Sequence, residues 1–313
     1  MVVAASPPDL CDNETMSGSI RLFLRTTEND YQQQLKEEAL REGKRADFTV
    51  EVESAQDDAG RQIAQITAAI EKAGAGNLVA VLVAPVRDDT LVPTVRAAAE
   101  AGVEWVLLNR EADFIEEQRR QFTNRAIFAV TPEQAEIGRI HGQQVHSLMP
   151  DGGCVLCVTG PLSASSAQHR LDGLKSVIAD PYRLVTLNAD WTSEGARLAL
   201  ERWLKSMPKD AEMPGVFVAQ NDEMALGLRQ AARDGAVRLN LPLDKVPIVG
   251  CDGTPTLGQR LVREGRLRGT VVTPPASGPA VELIARMRSH GEIPPATVIQ
   301  AVRSFPTLAS LRS

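Results

Sequence analysis

A set of hydrogen-bonding and aromatic side chains stands at the ends of apolar runs. Asn221 follows Gly215-Val216-Phe217-Val218-Ala219-Gln220 and opens a helix-like run that stops at Gly235. Asp252 follows the apolar run that ends Val249-Gly250-Cys251. Asn29 and Tyr31 come after Ile20–Arg25, and Asn109 and Arg110 come after Val103–Leu108. Trp191 follows Asn188-Ala189-Asp190, and Arg170 lies near the start of a helical stretch. Together these residues suit a neutral polyol. Carboxylate and amide groups satisfy hydroxyls, a guanidinium donates a planar fork, and an aromatic face covers the apolar side of a sugar ring. Any one strand-end Asn or Asp reads equally well as a helix cap. As a set they read as a site at the carboxyl ends of strands, where open α/β sheets bind ligands.

The elements that would carry them alternate along the chain. Strands are expected at 20–25, 48–53, 78–83 and 103–108, with helices at 30–43, 58–74 and 90–101. The helix at 58–74 carries Ile63, Ile66 and Ile70 on one stripe. The run Leu78–Val83 is continuously apolar, as in a strand buried on both faces of a parallel sheet. Residues 109–131 read as irregular and polar before Ala126-Ile127-Phe128-Ala129-Val130, where the first crossing between lobes is placed. Pro132 reads as the start of a helix reaching Leu148. Strands at 153–158, 183–187, 216–219 and 246–250 then alternate with helices at 165–179, 193–206 and 222–234. This pattern predicts an α/β protein with doubly wound parallel sheets. One sheet of that many strands would be very wide, so two lobes are expected.

Composition narrows the function classes. The 313 residues are 43% hydrophobic and 24% charged, which suits a packed core rather than disorder. A net charge of −6 gives no basic footprint for nucleic acid or an anionic membrane. The apolar runs are strand-length, far short of a membrane span. Residues 1–19 contain no Lys or Arg, and Met1–Ala5 is too short for an export-signal core. Pro8-Asp9-Leu10-Cys11 does not match a lipoprotein box. Export with a signal missing from this chain and a cytoplasmic location both stay open.

Several motifs lead elsewhere. Cys154-Val155-Leu156-Cys157 lies in a strand-like run, where residues three apart face opposite ways, so both cysteines and Cys251 read as core. His141 and His146 are splayed around a helix with no third ligand beside them. Gly74-Ala75-Gly76 precedes a strand and reads as a helix-end turn. No phosphate-binding loop and no nucleophile elbow occur. No acid, base and nucleophile can be assembled, so an enzyme is not expected.

The chain resembles the type I periplasmic sugar-binding proteins of the ribose- and galactose-binding kind over residues 20–303. The matching stretches are Thr27-Glu28-Asn29-Asp30-Tyr31, Leu107-Leu108-Asn109-Arg110, Gln168-His169-Arg170-Leu171-Asp172-Gly173-Leu174 and Asp190-Trp191. Two more, Ala219-Gln220-Asn221-Asp222-Glu223-Met224-Ala225-Leu226-Gly227 and Val249-Gly250-Cys251-Asp252-Gly253-Thr254-Pro255, are highly specific together. The resemblance implies that Asn221, Asp252 and Arg170 bind sugar hydroxyls, that Tyr31 and Trp191 stack on the ring, and that Asn109 and Arg110 reach in from the other lobe. It implies two Rossmann-like lobes joined by a three-segment hinge, after an N-terminal tail over 1–19. One lobe spans 20–128 plus 275–298, the other 129–273 plus 299–313.

There are departures from the family pattern. Asn109 stands where an aspartate is usual, Arg25 where a small polar residue is common, and Gln32 where an aromatic is expected. Thr273, before Pro274-Pro275, stands where a glutamine is frequent. With Arg25, Arg110 and Arg170 present, an acidic, phosphorylated or amide-bearing sugar and a plain neutral sugar are both open. In the neutral case Arg25 would pair with Glu28 or Asp30. The resemblance implies a periplasmic or cell-envelope protein with a small sugar or sugar derivative as ligand and an ABC permease or a receptor as partner. It implies no cofactor, no metal, no nucleic acid and no membrane insertion. A cytoplasmic sensor, or a LacI-type regulator core without its DNA-binding domain, shares the fold and remains open.

Overall fold

A computed structural model describes residues 18–73, 77–87, 89–208 and 211–312. Gly74-Ala75-Gly76 and the stretch around Cys11 lie outside the described residues. The first part of the chain runs β1 (Gly18–Leu24), α1 (Asp30–Arg45), β2 (Phe48–Ser54), α2 (Ala59–Glu71), β3 (Leu78–Val83), α3 (Val92–Glu100), β4 (Glu104–Leu108), α4 (Phe114–Gln121) and β5 (Ile127–Pro132). It continues through α5 (Gln134–Leu148), β6 (Gly153–Thr159), α6 (Ser165–Val177), β7 (Tyr182–Asn188), α7 (Ser193–Ser206), β8 (Pro214–Ala219), α8 (Asp222–Leu239) and β9 (Ile248–Asp252). The last elements are α9 (Gly258–Arg263), β10 (Gly269–Val272), α10 (Ser277–His290), β11 (Thr297–Gln300), β12 (Arg303–Phe305) and α11 (Leu308–Leu311).

Two six-stranded sheets result. The first has the order β11-β5-β4-β3-β1-β2 and is parallel throughout. The second has the order β12-β10-β9-β8-β6-β7 and is parallel except for β12, which runs antiparallel to β10. Each sheet starts in its middle, steps to one edge, then returns and builds to the other. That reversal opens a crevice at the carboxyl ends of β1 and β3 in one sheet and of β6 and β8 in the other. The expected α/β architecture with two sheets is found.

The crossings fall later than expected. β5 pairs with β4 through Val130 and with β11 through Pro132, so Ala129–Pro132 belong to the first sheet, not to the second lobe. β11 stays in that sheet to Gln300, so Ile299 and Gln300 belong there too. In both places the chain completes a strand of one sheet before leaving for the other. Pro132 ends that strand instead of opening the helix, which begins at Gln134. The polar stretch before β5 contains a helix, α4, whose Ile115 packs into the core. α8 runs past Gly235 to Leu239 and ends on Asn240 in the left-handed region. A Cβ on Gly235 would lie 2.8 Å from Leu204 Cδ1, so this glycine serves close packing and does not stop the helix.

Period-two alternation sends Ile20, Leu22 and Leu24 of β1 to the face covered by α1 and α10, and Phe23 to the face covered by α2, α3 and α4. In the second sheet α7 and α8 cover one face, and α5 and α6 the other. Cys154, Cys157 and Cys251 are buried free thiols. Burial pushes the Cys157 thiol up to about 12, which leaves it inert at neutral pH. His141 is buried with its Nε2 2.8 Å from the Gly250 carbonyl, and burial holds its pKa down at about 4. Among the described residues no metal-ligating cluster occurs, and no helix is long and apolar enough to cross a membrane.

The helices α5 and α6 touch backbone to backbone. A Cβ on Gly138 would meet the Arg170 carbonyl at 2.0 Å, and one on Gly173 would meet the Ala135 carbonyl at 2.0 Å. Neither obstacle is a flexible side chain, so a methyl group must part the helices. Gly173→Ala is expected to lower stability by about 1–3 kcal/mol despite its better helix propensity. The urea midpoint at unchanged slope reads this, and an unchanged or higher midpoint would refute the packing argument.

Candidate ligand-binding site

A cavity of about 260 Å³ lies between the sheets, at the carboxyl ends of their strands. Arg25, Asn29, Tyr31, Asn109 and Arg110 line it from the first sheet, and Arg170, Trp191, Asn221 and Asp252 from the second. The structure therefore brings nine of the ten expected residues to one cavity. Thr273 is the exception. It is buried behind the wall, where its backbone N–H and its hydroxyl both donate to the Asp252 carbonyl, at 3.0 and 3.3 Å.

Local backbone geometry aims these side chains. Asn109, Trp191 and Asp252 have φ of 64°, 72° and 95°, in the left-handed region that non-glycine residues avoid. Each is the turn by which a chain leaving its strand swings a side chain over the sheet edge. Asn29 and Asn221 cap the helices that follow. Asn29 Oδ1 accepts from the Gln32 N–H at 3.2 Å, and Asn221 Oδ1 accepts from the Met224 N–H at 2.7 Å. The Asn221 amide also donates to the Trp191 carbonyl at 2.9 Å, fixing the tryptophan's backbone. Trp191 lies against Gly160, where a Cβ would come within 2.2 Å of the ring, and the Arg170 guanidinium sits 5.6 Å from the ring centroid.

The Arg170 fork is fully engaged on its inner side. Its Nε donates to Gln134 Oε1 at 2.8 Å and an Nη donates to the Gln220 carbonyl at 2.5 Å. Gln134 in turn donates to the Asn109 carbonyl at 2.9 Å, and the Tyr31 hydroxyl lies 2.9 Å from Asn109 Oδ1. Gln134 and Gln220 are each almost fully buried, and the expected set did not contain either. Gln220 braces the floor by accepting from the Gly160 N–H and donating to the Ala167 carbonyl. It could have been found beside Asn221. For Gln134 no sequence signal exists, because its role comes from the crossing that places it between the lobes.

The charge pattern differs from the expected one. Arg25 pairs with Asp57, through its Nε at 2.7 Å and an Nη at 2.6 Å, not with Glu28 or Asp30. Asp57 stands at φ 59° after β2 and lines the same cavity. Glu28, Asp57, Glu223 and Asp252 thus face Arg25, Arg110 and Arg170. Burial pushes the Asp252 carboxyl up to about 7. Arg170 opposes that shift, while Glu223 and Asp30 add to it. Burial and then the Asp252 charge raise Asp222, whose oxygens accept from the Gly253 N–H and the Thr270 hydroxyl, each at 2.8 Å. Burial, then Asp252, also raises the Tyr31 phenol, which stays a neutral donor.

These shifts give the unliganded protein a pH dependence of definite sign. Unfolded, Asp252 titrates near 3.8; folded, at about 7. Between these values folded Asp252 holds the extra proton, so its contribution to stability falls as pH rises from about 4 to about 7. Asp252→Asn is expected to flatten that slope, read from denaturant midpoints at pH 4.5 and 7.5. A slope unchanged in Asp252→Asn, or changed in the opposite sense, would contradict the burial argument.

Comparison with known proteins agrees with this geometry. The profile of the periplasmic binding protein domain family matches residues 20–285. The chain is 28% identical over 220 residues to the xylitol-binding protein of Mycolicibacterium smegmatis, covering 69% of this chain and 56% of that protein. It is 24% identical over 265 residues to the ribose import binding protein of Escherichia coli, covering 84% of this chain and 81% of that protein. Among solved structures, the periplasmic component of an arabinose ABC transporter from Shewanella sp. ANA-3 superposes with a TM-score of 0.78 at 22% identity, over 93% of each chain. An ABC transporter solute-binding protein from Bacillus halodurans C-125, with bound myo-inositol, gives 0.78 at 23% identity, over 96% of this chain and 97% of that one. The two sheets, their repeated order and the cavity between them are those of a type I fold, and the chain belongs to the periplasmic binding protein domain family.

Proposed function

We propose that this protein captures a neutral sugar or polyol between its two lobes and delivers it to an ABC-type importer at the cell envelope. It carries out no chemistry on the ligand. The lobes of this reading are residues 18–132 with 275–300 and residues 133–273 with 301–312. The carrying observation is the trio in the cavity: Asp252 as acceptor, Arg170 as donor fork and the Trp191 ring face beside them. A carboxylate accepts from two adjacent hydroxyls, a guanidinium donates to ring and hydroxyl oxygens, and the indole covers C–H groups. The relatives that bind ribose and xylitol, and the fold neighbour holding myo-inositol, favour a small polyol. The internal pairing of Arg25 with Asp57, and the four carboxylates on the wall, argue against an anionic ligand.

Titration calorimetry against ribose, xylitol, arabinose and myo-inositol, each beside an acid or phosphate derivative, tests this reading. The neutral members are expected to bind more tightly. Tighter binding of the anionic members would reject the neutral-ligand reading, and no binding across the panel would reject sugar capture. Asp252→Ala is expected to weaken binding about 10²–10⁴-fold, from two charge-assisted bonds of about 1.5–3 kcal/mol each. A loss below about threefold, with the fold intact, would make Asp252 a turn residue only. Hydroxyls donating to Asp252 favour its carboxylate, so binding at pH 6–7 should release a proton, seen as a heat that varies with the buffer's ionisation enthalpy.

A further inference from the structure

The cavity does not end at the sugar-sized chamber. A second hollow of about 270 Å³ shares with it the side chains of Arg25, Asp57, Arg110, Trp191 and Thr192. Val86, Arg87, Asp89, Pro161, Ser163 and Asp190 line only this second hollow. Two chambers with five lining residues in common, Trp191 among them, form one continuous cleft.

The charges in the second chamber are matched. Arg25 and Asp57 pair at 2.6 Å, as do Arg87 and Asp89. The Asp190 Oδ1 accepts from the Thr192 N–H at 3.1 Å and from the Thr192 hydroxyl at 2.6 Å. Three guanidiniums and three carboxylates thus line this chamber, two of each in ion pairs, so a charged substituent finds no net opposite charge there. A neutral group rich in hydroxyls can accept from the outer N–H groups of the arginines and donate to the carboxylate oxygens the pairs leave open. It can also meet the Ser163 hydroxyl at the rim. The Trp191 ring is held by Gly160 below it and by Arg170 beside it, so it is a fixed platform that both units of a ligand can touch.

We propose that the cleft takes a ligand of two linked neutral units: a sugar or polyol ring in the inner chamber, joined through a glycosidic oxygen to a second hydroxyl-rich unit in the outer one. This rests on the reading of the inner chamber as a sugar site, and the test separates the two. Calorimetry compares matched probes: xylose with xylobiose, arabinose with arabinobiose, and galactose with its myo-inositol glycoside. At least one two-unit probe is expected to bind ten-fold or more tightly than its single unit. Ser163→Trp, which fills the outer chamber from a residue absent from the inner one, is expected to abolish that gain while leaving the single unit's Kd within about twofold. Arg87→Ala should reduce the gain in the same direction, and it supplies the readout if Ser163→Trp does not fold. Single units binding while two-unit probes bind no tighter would overturn the inference and leave the sugar site standing. A gain untouched in both folded variants would overturn it equally. No binding by any probe would overturn both.

Discussion

A single buried guanidinium organises this cleft. Arg170 is only slightly exposed, and a charge in that position is tolerated only when its donors are met and an opposite charge is near. The Gln134 amide and the Gln220 carbonyl meet the inner donors, the Trp191 ring lies beside the guanidinium, and Arg170 in turn opposes the rise that burial imposes on the Asp252 carboxyl. Each of these partners has a further duty. Gln134 holds the carbonyl of Asn109 on the other sheet, and Asn109 accepts from Tyr31. Gln220 braces the floor under the tryptophan through the Gly160 N–H. The polar network therefore runs continuously from one sheet to the other, and the side chains lining the cavity are also those that satisfy one another. The close backbone contact of α5 and α6 has the same purpose, because these helices carry Gln134 and Arg170 and set their separation.

The strain in the backbone lies where that network needs it. Asn109, Trp191 and Asp252 each hold a left-handed conformation costing on the order of 1–3 kcal/mol. All three occur where a chain must turn off its strand while keeping its side chain over the cavity. Asn109 and Asp252 are residue types that visit this region more readily than most, whereas Trp191 is not. The tryptophan is held there by the bond from the Asn221 amide to its carbonyl and by the glycine under its ring. The ring packs against the core under α7 and α8 and also lines the cavity, so the turn serves both packing and a fixed aromatic platform.

The parts legible in the sequence were those with local causes. Continuous apolar runs such as Leu78–Val83 announced buried parallel strands, and the polar residue after each run announced the site. Asn221 and Asp252, each at the end of such a run, line the cavity. What stayed hidden depends on the far side of a contact. Asp57 neutralises Arg25 because a left-handed turn after β2 points it there, and nothing near Arg25 in the chain says so. Gln134 is unremarked in a helix start until the crossing places it between two lobes. The crossing itself was misplaced because a strand that finishes one sheet before departing looks, residue by residue, like one that begins the next. Asn29 and Asn221 show the converse limit. Their capping bonds are local and readable, and each occupies one acceptor position of a side chain that also lines the cavity.

The lobes also hold each other directly. The Asp30 carboxylate, at the first turn of α1, accepts from the hydroxyls of Thr254 and Thr256 on the opposite lobe, the latter at 2.9 Å. The Glu223 carboxylate takes the Asp30 backbone N–H. The Tyr31 hydroxyl lies 3.1 Å from the Pro274 carbonyl on the second crossing. Bonds of this kind contribute a net of about 0.5–1.5 kcal/mol each, which offsets part of the entropy lost when two lobes stop moving. A ligand shifts the remaining balance only by its differential affinity for the closed form. The residues placed to supply that difference line the cavity from both sides: Asn109 and Arg110 from one lobe, Asp252 and Arg170 from the other. Burial raises Asp252, and Glu223 and Asp30 add to that, so the same carboxylates that clasp the lobes discourage Asp252 from ionising. In the proposed reading, hydroxyls donating to Asp252 favour its carboxylate, so capture and the clasp between the lobes act on the same group.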